Sequence, residues 1–137
     1  MARSAKVWTY SGARAGSKPS PNEKDAITLA CEQVIQDVLI PRHLPEIRPH
    51  AEFNYPVGIH GKWQGNKYRF ITRYKSDSAN RIADGFDAPF ARLEYVAHDC
   101  FDLSWHRHIG TWHTVFERLT LRDALNQLTE SGIFMPC

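Results

Sequence analysis

Three histidines beside one predicted turn are the residues best suited to metal chemistry. His106, His108 and His113 lie close together in the sequence. Neutral imidazole is a common zinc ligand, and residues two apart on a strand share a face. A two-residue turn at Ile109 and Gly110 would pair position 106 with position 113 and bring all three rings onto one face. This pattern predicts zinc or another divalent metal as the candidate cofactor, held by those three histidines.

The residue types in that turn favour a different hairpin. A two-residue turn requires a positive φ at Ile109, which a β-branched residue adopts poorly. A three-residue loop over 108–110 places Gly110 in the left-handed position and pairs 105 with 113 and 103 with 115. His113 would then lie beside Trp105 on the apolar face, hydrogen-bonded and partly buried. We therefore favour a structural role for His113 and keep the metal site as the alternative.

A basic stripe in the segment 67–75 is the feature best suited to binding. Alternate residues of a strand point to opposite faces, so this segment has one aromatic face and one basic face. The cations that form or could extend the basic face are Lys62, Lys67, Arg69, Arg73, Lys75 and Arg81. Such a set neutralises phosphates without reading sequence, and an exposed Trp8, Trp63 or Trp112 would add base stacking. The alternative is a solubilising outer face, which antiparallel sheets often have.

Carboxylates and cysteines carry weaker signals. Asp99 lies next to His98, and Asp102 lies four residues before His106. Metal-assisted phosphodiester hydrolysis could use a histidine and an acid at such a spacing, but we expect turn and surface roles for both carboxylates. The cysteines are far apart and lack the CxxC spacing, which argues against a thiolate zinc site and a disulfide framework. Their positions are Cys31, Cys100 and Cys137.

Composition places the chain among ordinary globular proteins. Its 137 residues, 42% hydrophobic and 23% charged, suffice for one domain with a core. Neither a spanning helix of roughly 18 apolar residues nor a secretory signal is visible, so we expect a soluble cytoplasmic protein without a membrane partner. The net charge of +2 hides two basic islands, because residues 1–20 hold four basic and no acidic residues and 62–81 hold six basic residues against Asp77. This asymmetry indicates an anionic partner, either nucleic acid or an acidic protein surface.

Two helices are predicted at the ends of the folded region. Residues 1–20, rich in Gly and Ser, predict a basic flexible arm, and 21–137 predict a single α+β domain. Ser20 opens a capping box with proline at the first helical position, and Pro41 should end this helix near Ile40. The second helix should begin after Thr120 and end at Gly132.

Strand periodicity fills the region between these helices. An alternating run at 53–59 predicts a strand that Pro56 places at an edge or a bulge. Further strands are predicted at 67–75, 90–98, 100–107 and 111–116, with a loop at 76–89. Hairpin connections imply an antiparallel sheet. The fold class is therefore two-layer α+β, a four- to five-stranded antiparallel sheet flanked by an N-terminal and a C-terminal helix, with the basic stripe on the uncovered face.

Several strings in this order resemble a bacterial family, the domain of unknown function DUF3024. They are the connection 41–48, the strand pair 91–105, the pair Trp112-His113, and the last helix followed by Gly132-Ile133-Phe134. The likeness covers roughly residues 22–134, although the family's Lys-Trp-His-x-Tyr string here reads Thr-Trp-His-Thr-Val from position 111. The resemblance implies a small bacterial protein and brings no activity or catalytic residue with it.

These observations predict a non-enzymatic binding or regulatory module without a cofactor, which uses the basic sheet face on an anionic partner. The alternative is a small metal-dependent hydrolase or nuclease, with the three histidines as ligands and Asp102 nearby. The sequence leaves open whether the protein forms a homodimer, which partner it binds and what the loop 76–89 does.

Overall fold

Five strands follow an N-terminal helical region and precede a C-terminal helix. The computed structural model describes residues 18–50, 53–77, 84–106 and 110–135. The N-terminal region consists of α1 (Pro21–Val34), a π-helical turn (Ile35–Leu39) and α2 (Ile40–His43). The later elements are β1 (Tyr55–Gln64), β2 (Lys67–Lys75), β3 (Gly85–Ala97), β4 (Cys100–His106), β5 (Trp112–Leu119) and α3 (Leu121–Glu130). Most of the predicted arm 1–20 lies outside the described residues.

The first helix begins as predicted and ends later than predicted. Ser20 and Glu23 form a capping box, in which each side chain accepts a hydrogen bond of 3.1 Å from the other residue's backbone amide. The predicted end near Ile40 is wrong, because helical backbone continues through Pro41 to His43. Proline normally clashes with the carbonyl four residues earlier. A π-helical turn precedes it, and Pro41 lies in the first turn of α2, where proline is tolerated.

The strands form one antiparallel sheet in the order β1-β2-β3-β4-β5, so β1 and β5 are its edges. Gly65, with φ +61°, makes the tight turn between β1 and β2. The register shifts between Pro56 and Gly58, which confirms the predicted bulge on an edge strand. The predicted α+β class and the bounds of β2 are confirmed.

Three strands extend beyond their predicted bounds, and β1, predicted at 53–59, begins at Tyr55 and continues to Gln64. The predicted loop 76–89 is wrong for 85–89, since β3 already begins at Gly85, opposite Lys75. Pro89 is tolerated in this strand because it lies at a register shift, where the ladder is interrupted. β5 likewise continues past the predicted residue 116 to Leu119, through an irregular residue, Arg118, with φ +56°.

The helices pack on one face of the sheet, which we call the inner face. The buried core residues of the helices and strands include Ile27, Cys31, Ile35, Leu39, Tyr68, Phe70, Leu93, Phe101, Leu103, Ala124 and Leu128. Tyr68 and Phe70 belong to the predicted aromatic face of β2, so the basic positions of that strand point to the opposite, outer face. No described helix is long and apolar enough to cross a membrane.

Candidate functional site

One polar row crosses the outer face from edge to edge. Residues directly opposite one another in an antiparallel sheet point to the same face. Lys62 of β1 lies opposite Arg69 of β2, and Arg69 lies opposite Arg92 of β3. The row continues through Ser104 of β4 to Thr114 of β5, whose hydroxyl oxygens are 3.3 Å apart. We call these five residues the outer row.

Three cations therefore stand side by side on three adjacent strands. Two interstrand spacings separate Lys62 from Arg92, which is a distance of roughly 10 Å. In the part of the chain that the structure describes, none of these cations forms an ion pair with a carboxylate. Arg69 donates instead to the amide oxygen of Gln64 at 3.2 Å. The outer row thus holds three neighbouring cations without an ion-pair partner among the described residues. Burial lowers the pKa of Arg92, and the nearby carboxylate of Glu94 opposes this shift by raising that pKa.

Trp112 lies beside this row and contacts two of its cations. The guanidinium carbon of Arg92 is 4.5 Å from the centroid of the Trp112 ring, and that of Arg69 is 5.9 Å away. These distances are typical of cation–π interactions. The ring of His106, opposite Trp112 in the sheet, meets it edge to face at a centroid distance of 4.8 Å. We call these four residues the Trp112 cluster.

Burial and nearby positive charge lower pKa values within the Trp112 cluster. Burial lowers the pKa of His106, and the nearby Arg69 and Arg92 lower it further. The imidazole of His106 is thereby kept neutral beside two cations. Burial also lowers the pKa of Arg92, whose Nε atom is buried without a hydrogen-bond partner among the described residues. Arg92 keeps its charge, because an arginine in a protein is not deprotonated near neutral pH.

The other predicted binding cations differ in their surroundings. Arg73 pairs with Asp87 at 3.4 Å and Lys75 with Asp77 at 4.0 Å, so both charges are already compensated. Lys67 lies opposite Glu94 and donates to the side chain of Asn66. The last predicted cation, Arg81, lies outside the described residues. The structure therefore divides the predicted stripe into an ion-paired end and an outer row whose cations form no ion pair among the described residues.

Sequence reasoning missed Arg92, although it completes the row. It is the sole cation of β3, and the apolar neighbours Ala91 and Leu93 make it look like an isolated surface charge. Its alternation with those buried neighbours does place it on the outer face. The strand pattern does not reveal which residue stands opposite, because that depends on register.

The tryptophans proposed for stacking lie in different places. Trp112 is on the outer face, half-buried in the Trp112 cluster. Trp63 is not available there, because it packs against the inner core and donates from Nε1 to the Thr28 hydroxyl at 2.7 Å. Trp8 lies outside the described residues.

The histidines do not share one face. Trp105 lies opposite His113 and His106 lies opposite Trp112. This register confirms the 105–113 pairing of the three-residue loop and contradicts the two-residue turn. Because adjacent residues on a strand alternate, His106 points to the outer face and His113 to the inner face. His108 lies outside the described residues.

His106 and His113 therefore do not lie on one face, which was the arrangement on which the predicted metal site rested. No group of three or more His, Cys, Asp or Glu side chains suited to a metal ion occurs within residues 18–50, 53–77, 84–106 and 110–135. The metal site stays a prediction, and the observed placement of His106 and His113 does not favour it.

Two details of this hairpin correct the sequence analysis. The predicted pairing of 103 with 115 is wrong, because register shifts bring Leu103 opposite Phe116. His113 is also exposed rather than partly buried, since it lies on an edge strand with one flank open to solvent. Its Nε2 atom is 3.3 Å from the Thr111 hydroxyl, so the expected hydrogen bonding is present.

The carboxylates near the histidines have structural roles. Asp99 accepts a hydrogen bond of 2.9 Å from the backbone amide of Leu121, at the start of α3. Asp102 accepts one of 3.0 Å from the amide of Arg118, where β5 departs from regular geometry. Both contacts agree with the expected turn and surface roles.

A second polar cluster, absent from the sequence analysis, links α1 to the β3–β4 turn. Glu23 Oε2 accepts from the Tyr95 hydroxyl and lies beside His98 Nδ1, both at 2.9 Å. The hydrogen bond from His98 is the largest of the contacts that lower the pKa of Glu23 to about 2, followed by those from the Ser20 amide and Tyr95. An adjoining cleft of about 190 Å³ is lined mostly by apolar side chains. This cluster fastens a helix end to the sheet.

The outer row and the Trp112 cluster are the described groups best arranged for binding a ligand. They combine cations without ion-pair partners among the described residues, the hydroxyl of the exposed Thr114 and flat π surfaces on one face, where Ser104 itself is buried. Such a surface can neutralise anions.

Comparison with known proteins places this fold in a family. No curated protein and no solved structure matches the chain. A family profile described as "Domain of unknown function (DUF3024)" matches residues 19–136, which include every described helix and strand. The chain therefore belongs to the DUF3024 family.

Proposed function

We propose that this protein is a non-enzymatic binding module whose outer face contacts an anionic partner. The observation that supports the proposal is the outer row, in which Lys62, Arg69 and Arg92 are direct cross-strand neighbours. Like charges directly opposite one another destabilise a sheet. A bound anion would relieve that repulsion, so the arrangement suits a complex better than the free protein.

The contrast with the end of the same stripe supports this interpretation. A face that serves only for solubility is expected to carry interspersed charges of both signs. Arg73 with Asp87 and Lys75 with Asp77 fit that description. The outer row does not, and this difference separates the proposed binding cations from ordinary surface charges.

Two neutralising variants on one strand test the proposal. Arg69→Gln and Arg73→Gln remove the same charge from the same face, but only Arg69 belongs to the outer row. We expect the protein to bind linear polyphosphate with an affinity that falls as salt rises. Arg69→Gln should weaken this binding and reduce the slope of log K against log salt by about 0.7–0.9 for each lost phosphate contact.

Arg73→Gln should change both quantities much less, since Asp87 already neutralises that guanidinium. An equal loss in the two variants would mean that net charge alone attracts the polyanion. That result, or no salt-dependent binding by the unmodified protein, would contradict the proposed function.

A further inference from the structure

The Trp112 cluster offers flat surfaces as well as charge. Trp112 and the guanidinium of Arg92 lie within 4.5 Å of each other, and the His106 ring adjoins them. Trp112 is half-buried rather than enclosed. Tryptophan rings and guanidinium planes are both surfaces on which nucleobases stack. An anion without aromatic groups would gain no stacking contact from these flat surfaces.

We infer that the anionic partner is single-stranded nucleic acid, which binds with phosphates along the outer row and bases on the Trp112 cluster. This inference rests on the proposed function and specifies its ligand. The three cations of the outer row occupy roughly 10 Å. A stacked strand carries one phosphate charge per about 3.4 Å of its axis. The row therefore has a charge density comparable to that of the strand it would neutralise.

The position of the helices favours a single strand over a duplex. The major groove of a duplex admits an α-helix or a two-stranded ribbon, and a five-stranded sheet is wider than either. The helices of the described chain pack on the inner face, so none of them projects from the outer face. An open sheet face with aromatic and basic side chains accepts bases that are already unstacked from a partner strand.

The contact between Arg92 and Trp112 also determines how the guanidinium is presented. The buried Nε atom of Arg92 has no hydrogen-bond partner among the described residues, and its guanidinium rests against Trp112 instead. Stacking on an aromatic ring orients a guanidinium and leaves its outer edge free for a phosphate. Trp112 would thus both position Arg92 and present a surface to a base.

The test separates stacking from charge with two matched ligands. One is an oligothymidylate of about 12 nucleotides, a length within the usual site sizes. The other is an abasic deoxyribose-phosphate oligomer of equal length and charge. We expect the full-length protein to bind the oligothymidylate roughly tenfold or more tightly than the abasic oligomer, because each stacked base adds affinity. A duplex of equal length should bind more weakly than the single strand.

Variants at Trp112 locate the effect. Trp112→Ala should abolish the preference for the oligothymidylate, and Trp112→Phe should retain most of it while guarding against misfolding. Equal affinity for the two oligomers, or equally tight binding of polyglutamate, would overturn the inference. If polyglutamate and the abasic oligomer still bind in a manner sensitive to Arg69→Gln, the proposed function survives that failure. If no polyanion binds at all, the proposed function fails as well.

Discussion

Reversing the charge of Lys62 should raise the stability of the protein and lower its affinity for an anion. Lys62 is exposed on the edge strand β1 and lies directly opposite Arg69. Lys62→Glu would replace a repulsive cross-strand pair with an attractive one. Cross-strand charge pairs contribute about 0.2–1 kcal/mol. The substitution removes one such repulsion and adds one such attraction, so we expect the free energy of unfolding to rise by about 0.5–1 kcal/mol, in the lower part of the summed range because Lys62 is exposed to solvent.

Urea denaturation at low salt and at 1 M salt measures this change. The gain should shrink at 1 M, where the Debye length falls to about 3 Å. Binding of polyphosphate by the same variant should weaken, with a shallower salt dependence, because one cation of the outer row is lost. Opposite signs for stability and binding distinguish a functional row from a merely solubilising face.

Arg73→Glu is the matched control. It breaks the Arg73–Asp87 ion pair of 3.4 Å and leaves two carboxylates opposite each other, so it should lower the stability. Its effect on binding should be smaller than that of Lys62→Glu. A Lys62→Glu protein that is less stable than the original, or that binds polyphosphate equally well, would refute the reasoning.

Three further predictions concern the inner face and its attachment to the helices. The pKa of Glu23 is lowered to about 2, so its carboxylate should stabilise the fold above pH 4.5 and lose that effect as pH falls toward 2. The hydrogen bond to Glu23 raises the pKa of His98, so the stability that protonated His98 contributes should be lost as pH rises through that raised value. Glu23→Gln should reduce the pH dependence of stability at both ends of this range, as measured by denaturation midpoints across pH. Gly61→Ala should cost about 1–3 kcal/mol in chemical denaturation, because a Cβ there would come within 1.8 Å of the Tyr68 hydroxyl oxygen; an unchanged midpoint would contradict this. Burial raises the pKa of the Cys31 thiol, so mass spectrometry should find it unmodified by iodoacetamide until the protein unfolds, and rapid native labelling would show that the core opens there.

Local patterns predicted the elements where one physical signal dominated. The alternation in 67–75, interrupted by the buried Ile71 on the basic face, predicted the bounds of β2 and its two faces, because a strand with one buried face presents apolar side chains at every second position. The Ser20 capping box marked the start of α1 for a similarly local reason. Errors arose where tertiary packing overrode a local rule, as at Pro41 within helical backbone and Pro89 within β3.

Only part of the candidate site could be predicted, because the rest depends on tertiary packing. The stripe on β2 was visible in the sequence, but Arg73 and Arg69 look alike there. Asp87, which compensates Arg73, reaches it only because β3 extends past Pro89 to Gly85. Arg92 becomes part of the row only through its position opposite Arg69.

The sequence by itself determined the kinds of elements, their order and which face of each strand is polar. These properties follow from the periods of helix and strand and from caps and turns, which act over a few residues. The tertiary structure alone decided that Lys62, Arg69 and Arg92 stand side by side, whereas the residues of the turn already favoured the pairing that separates His106 from His113. Partners across a sheet are fixed by register, and register here depends on bulges and on core packing between residues far apart in the chain. A shift of one residue sends every side chain to the opposite face, so no local pattern can specify which charges meet.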